Sequence, residues 1–166
     1  MSLIPSRMKD IEELLEAHRQ VGKGRRWARG TAAINRAAIL LLTSHLEGFV
    51  EDLFGEPFEK LFPGRNPNRF LKQFNTPTCR NINDLYEFLG LSEVTGQIRF
   101  TPVSTKKVLD AIDSLVDLRH RIVHGKLTRS YIADVKSWRG YLTGIARKLD
   151  VIVAAHLTRV LGKAPW

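Results

Sequence analysis

Apolar residues recur every three or four positions along most of this chain and almost nowhere in strict alternation, which is the signature of helices. The first run, "SRMKDIEELLEAHRQ", puts Met8, Ile11, Leu14 and Leu15 on one side, with Ser6 placed to cap it. After the glycine- and arginine-rich connection "VGKGRRWARG", the pattern resumes at Thr31 in "TAAINRAAILLLTSHLEGFVEDLFGEPFEKLF". That stretch predicts one long helix with Ile34, Leu41, Leu42, Leu46, Phe49 and Leu53 as its core stripe. Pro57 should kink or end it. "PGRNPN" is punctuation, followed by short helical pieces around "RFLKQF" and "INDLYEFLG". "TGQIRFTPV" reads as a loop or an irregular strand.

"STKKVLDAIDSLVDLRHRIVHG" predicts a further helix, capped by Ser104 or Thr105 and terminated at Gly125. The last helix begins near Ser130 and runs to Leu161. With no repeat, heptad array or low-complexity tract, the pattern predicts an all-α, single-domain helical bundle of four to five main helices. The domain covers 1–166, with a core of about 31–161 preceded by an N-terminal helix and basic loop in 1–30.

Composition narrows the function more than the fold. A chain of 166 residues with 43% hydrophobic content can bury a core. Its single cysteine, Cys79, excludes an intramolecular disulfide and a multi-cysteine zinc site, and fits a reducing, cytoplasmic setting. The N-terminus lacks the apolar core of a signal peptide. The greasiest run, "AAILLL", is too short to span a bilayer, so no membrane partner is expected. Lys and Arg outnumber Asp and Glu by 26 to 17, a formal charge of +9 that suits a polyanion such as nucleic acid or simply a solvated basic surface.

The chemistry-bearing residues crowd the end of the fourth long segment, "DSLVDLRHRIVHGK". At ~100° per residue, Arg119 shares the apolar side with Ile112, Leu115 and Ile122, where a guanidinium is costly unless paired or facing a partner. Asp113, Asp117, His120 and His124 form a second face, and Arg121 points elsewhere, into solvent. Arg119 and His124 are five residues apart, ~140° around an ideal helix, so they do not meet within one continuous helix. Either Gly125 ends the helix and lets His124 swing, or a second subunit brings the two together across a two-fold axis. The plain alternative is that these cations only complement the dipole of a helix C-terminus.

"RHRIVHG" resembles the R-x4-H motif of HEPN domains, with Arg119 and His124 on its two fixed positions and His120 on the position after the arginine. "INRAAILLLTSHLEGFVEDLF" is similar to the long second helix of that superfamily, with Glu47 in its "LE" step. The likeness is nearest to the RiboL-PSP and MAE-type subgroups and covers roughly Thr31 to Leu161 as an order of helices. It implies a homodimeric, metal-independent endoribonuclease with no cofactor, acting on RNA as a toxin or defence effector, with an antitoxin or other partner protein.

The residues suit that chemistry. RNA carries its own nucleophile, the 2′-hydroxyl, so the protein needs only to move protons and hold charge on phosphorus. Histidine does the first near neutral pH, and arginine's fork of donors does the second. On this reading Arg119, His124 and His120 are catalytic and Glu47 supports Arg119, unless His120 and Glu47 are merely surface groups. Lys23, Arg25, Arg26, Trp27 and Arg29, in a loop mixing cations with an indole, are candidate RNA contacts or a solvated connection. Arg121 and Lys126 flank the motif and join the candidate RNA contacts.

Two other classes stay open: a non-catalytic RNA- or protein-binding module, and a metal-dependent hydrolase using Asp113, Asp117, His120 and His124. Against the metal, no second helix offers an obvious partner set. "GKGRRWARG" lacks the spacing of a phosphate-binding Walker loop. His18, His45 and His156 read as structural, and nothing argues for Cys79 as a nucleophile.

Overall fold

The computed structural model describes residues 7–21, 28–126 and 131–165. Five main helices, a four-residue helix and one 3-10 turn account for the regular structure, and no strand occurs among the described residues. In chain order these are α1 (Lys9–Val21), α2 (Ala28–Leu61), α3 (Asn68–Leu71), α4 (Cys79–Glu87), the 3-10 turn Val94–Gln97, α5 (Thr105–Val123) and α6 (Ile132–Leu161). The all-α bundle read from periodicity is the fold. No helix is long and apolar enough to cross a membrane among the described residues.

α2 and α6, ~50 Å and ~45 Å long at 1.5 Å per residue, are the two long members and pack along each other. α1 lies against α2, while α5 fills the space beside both α2 and α6. One core joins them all: Ile11 from α1, Ile39, Leu42 and Phe54 from α2, Ile112 and Leu115 from α5, and Ile145, Leu149 and Val153 from α6. Ile34 and Leu41, expected in the α2 stripe, are only half-buried, and Ala38, Ile39 and Val50 take more of the central contact.

Pro57 does not end α2, which runs on to Leu61. A proline there removes one helix hydrogen bond and costs ~3 kcal/mol. The packing that holds the turn is aromatic: Phe54 and Phe58 stack at 5.4 Å, and Phe58 also meets Phe62 at 5.0 Å and Phe70 at 5.1 Å. The segment "TGQIRFTPV" contains the end of the 3-10 turn and then irregular backbone rather than a strand.

The helix ends follow local rules. Thr78 caps α4 by accepting from the Asn81 amide at 3.1 Å. Ser104 occupies the cap position of α5, but its hydroxyl makes no cap bond; Thr105 instead accepts from the Phe100 amide at 3.2 Å. α6 starts at Ile132, where Asp134 accepts the Tyr131 N–H at 3.3 Å, and stops at Leu161 before Gly162 with φ 70°.

Candidate functional site

The last turn of α5 closes in a Schellman motif. The Lys126 amide donates to the Arg121 carbonyl at 2.9 Å and the Gly125 amide to the Ile122 carbonyl at 3.0 Å. Gly125 sits at φ 70°, the left-handed conformation that this pair of bonds requires. Glycine therefore terminates the helix as expected, but it does not free His124. His124 is the cap residue at φ −83°, ψ 16°, close to helical, and its amide still donates to His120 O at 3.0 Å. Its ring stacks on that of His120, with centroids 6.5 Å apart and planes 10° apart. The swing of His124 toward Arg119 is absent, because a near-helical cap keeps the side chain at its helical azimuth.

Arg119 continues the buried stripe of Val108, Ile112 and Leu115 by one more turn. It is half-buried, and it forms no hydrogen bond or ion pair among the described residues. Glu47 on α2 is half-buried as well, but no ion pair joins it to Arg119. Its resolved effect is on its neighbour: burial first, then the charges of Glu47 and Asp52, push the Glu51 carboxyl up from its ordinary range. His120 is half-buried, whereas His124 and Lys126 are exposed.

The second face of α5 is divided by its partners. Asp113 accepts the Cys79 amide at 2.9 Å, bracing the first turn of α4 onto α5. Asp117 pairs with Arg121 at 2.9 Å, an exposed four-residue pair weak enough (~0.3–0.5 kcal/mol) for a phosphate to compete for the guanidinium. The two carboxylates of the metal reading thus already have work on the chain itself. No cluster of three or more His, Cys, Asp or Glu is placed to hold a metal among the described residues.

A groove of mixed charge joins α1 to α6. The end of α1 and the start of α6 share a groove of about 400 Å³ whose polar lining is Glu12, Glu16, His18, Arg19, Lys136 and Arg139, with Glu12 paired to Arg139 and Glu16 to Arg19. Val21 lies against Gly30 at the start of α2. The end of α1 and the starts of α2 and α6 therefore cluster. Lys23, Arg25, Arg26 and Trp27 lie outside the described residues, as does the side chain of Arg29.

The remaining singled-out side chains are structural. His156 is buried, with Nε2 2.7 Å from the Leu89 carbonyl and Nδ1 3.1 Å from an Arg159 N–H, so Nε2 carries the proton. His45 lies 3.7 Å from Asp10, too far for a hydrogen bond, so its buried Nε2 stays unsatisfied. Burial pushes its pKa down, with Asp10 opposing. Cys79 is pushed up to about 12, first by burial and then by Asp113, which leaves it a neutral thiol rather than a nucleophile.

A family model described as RiboL-PSP-HEPN matches residues 2–155, nearly the whole chain. No curated protein and no solved structure matches it significantly.

Proposed function

Because the chain belongs to the RiboL-PSP-HEPN family, whose HEPN domains point to ribonuclease or RNA-binding work generally, we propose that it is a metal-independent endoribonuclease. Its site is composite, assembled by two copies of the chain. One observation carries this reading. Arg119 is half-buried at the end of an apolar stripe without a partner among the described residues, while His124 stands exposed at the cap on another side of the same helix. A guanidinium in that position needs an anion or a facing surface. A two-fold pairing of the α5 ends supplies the facing surface and sets each His124 beside the neighbouring copy's arginine, and the RNA phosphate supplies the anion.

The reaction needs no group from outside the two chains. One His124 takes the proton of the RNA 2′-hydroxyl as its oxygen attacks the adjacent phosphorus. The other His124 donates a proton to the departing 5′-oxygen. Arg119 holds the phosphate oxygens as negative charge gathers on them. The products are a 2′,3′-cyclic phosphate and a 5′-hydroxyl end. His120, stacked under His124, orients its ring. Arg121 and Lys126 hold flanking phosphates, joined by the connection from α1 to α2. Such an activity fits a toxin or a defence effector kept in check by a partner protein.

The test is cleavage of mixed RNA by purified protein with and without EDTA. Cleavage that persists under chelation and leaves cyclic-phosphate ends is the expected result. Complete loss on chelation with rescue by a divalent ion would replace this mechanism. Sedimentation should show a dimer, and a monomer that cuts RNA at the same rate would remove the composite site.

A further inference from the structure

Far from the α5 end lies a stretch that the pattern of helices passes over. From residue 61 to residue 83 there is no acidic residue, yet the segment holds Arg65, Arg69, Lys72 and Arg80, interleaved with Phe62, Phe70 and Phe74. Cations alternating with rings are the composition of a surface that binds single-stranded nucleic acid. In three dimensions this segment folds against α4 and forms a hollow of about 200 Å³, lined by Phe70, Gln73, Phe74, Asn81, Asp84 and Phe88.

Three features give the hollow a chemistry. Phe88 is 51% exposed although it is a large ring, and Phe70 supports it from below with centroids 4.4 Å apart. The outer face of Phe88 is thus a rigid platform held in place by the Phe54, Phe58 and Phe70 cluster. Beside it, the Asn81 amide donates to Thr76 O at 2.8 Å, which fixes the side chain and leaves its Oδ1 to accept from a ligand. Gln73 and Asp84 add further polar groups at the rim, and Arg80 reaches Asp84 only at 3.9 Å. Arg69 and Lys72 are exposed and form no ion pair among the described residues. Drug-sized ligands occupy pockets of ~300–1,000 Å³, so this hollow takes a single planar ring and little more.

We infer that the outer face of Phe88 and the hollow beside it form a subsite for one unstacked base of single-stranded RNA, whose flanking phosphates are held by Arg69, Lys72 and Arg80. This rests on the reading of the protein as acting on RNA and deepens it. Asp113, which holds the start of α4, lies eleven residues from His124, or ~16 Å along α5. The subsite therefore grips the strand several nucleotides from the scissile phosphate. It makes the substrate single-stranded beyond the cleavage position.

Fluorescence anisotropy with a labelled single-stranded oligonucleotide and with a hairpin duplex, using the His124→Ala chain to prevent cutting, tests this. Phe88→Ala should weaken single-strand binding ~10-fold, in the range known for stacking on one aromatic side chain, while Phe88→Tyr keeps it. Duplex binding should not change, since a paired base cannot reach the platform. An oligonucleotide carrying 4-thiouridine should crosslink to the segment from Phe70 to Phe88, a readout that does not depend on any variant folding. If the parent chain binds single strands but Phe88→Ala binds them equally well and crosslinks fall elsewhere, the subsite is wrong and the RNA reading stands. If the parent chain binds no RNA, both fall. An equal loss for duplex and single strand would also overturn the subsite, leaving only a basic surface.

Discussion

The two ends of α5 are built on one periodicity and do opposite things. In the first half, Val108, Ile112 and Leu115 are buried, and Asp113 is tied to the start of α4. One turn beyond, the same stripe presents Arg119, half-buried and without a partner among the described residues, and the cap carries an exposed histidine stacked on another. The first half repays its burial with packing energy. The last turn packs on the core through Ile122 and leaves His124 and Lys126 exposed. A helix can therefore anchor a site with one half and display it with the other, provided the display turn is closed firmly. Here Gly125 and its two backbone bonds close it.

The sharpest way to break this comparison is to exchange the damage between halves. His124→Ala should lower RNA cleavage ~10²-fold or more, typical of losing a general acid or base, with a melting temperature near that of the parent. Leu115→Ala should do the reverse at first order, costing ~2–5 kcal/mol of stability through a cavity under α5. Cleavage rates and thermal melts on the same two preparations decide it. A large loss of stability in His124→Ala would mean that the display turn is part of the core after all.

A smaller effect is expected at the junction itself. Beyond Gly125 and its chain neighbours, no atom of the described residues lies within 4 Å of the position a Cβ would take there, so Gly125→Ala meets no clash among them. Its cost is conformational only, ~1–2 kcal/mol for an L-residue held at φ 70°. Denaturant unfolding should show that loss. Cleavage should fall as well if the closed turn positions His124. Unchanged cleavage in a destabilised variant would separate the motif from the site.

The smallest effect probes a carboxyl on α2. Burial and neighbouring carboxylates raise the Glu51 pKa in the folded chain. The folded state therefore favours the protonated form. Its stabilising contribution is present below the unfolded value of ~4.3 and is lost as pH rises through the folded pKa. At pH 7, Glu51→Gln should raise the melting temperature, by ~1–2 °C on the scale of substitutions worth ~0.5 kcal/mol. Near pH 3 the two chains should melt together. A gain that persists at low pH would assign the effect to packing rather than charge.

Much of this protein is legible residue by residue. The stripe of Met8 and Ile11, the stop at Gly125 and the end of α6 at Leu161 all follow from rules that act within one or two turns. The R-x4-H turn was visible for the same reason, as cations placed where an apolar stripe should continue. What escaped came from contacts between distant parts of the chain. Pro57 argues locally for a helix end, and only the rings of Phe58, Phe62 and Phe70 show why α2 continues. Asp113 looked like one member of a carboxylate–histidine face until α4 was placed against it, 34 residues away in sequence. The absence of acids between residues 61 and 83 was the available signal for the second basic surface, but nothing in the helical pattern marks Phe88 as a platform.

Sequence alone determined the helices and the residue types at their ends, because hydrogen bonds from i to i−4, caps and left-handed glycines are satisfied within a few neighbouring residues. It also determined that the family's two fixed residues would stand at one helix end. Tertiary structure decided which polar groups are engaged across the bundle: Asp113 with α4 and His156 with Leu89. It also decided which remain unpartnered among the described residues, Arg119 above all. The reason is that a side chain's partner depends on which surface is packed across from it, and that packing is a sum over contacts between residues far apart in the chain.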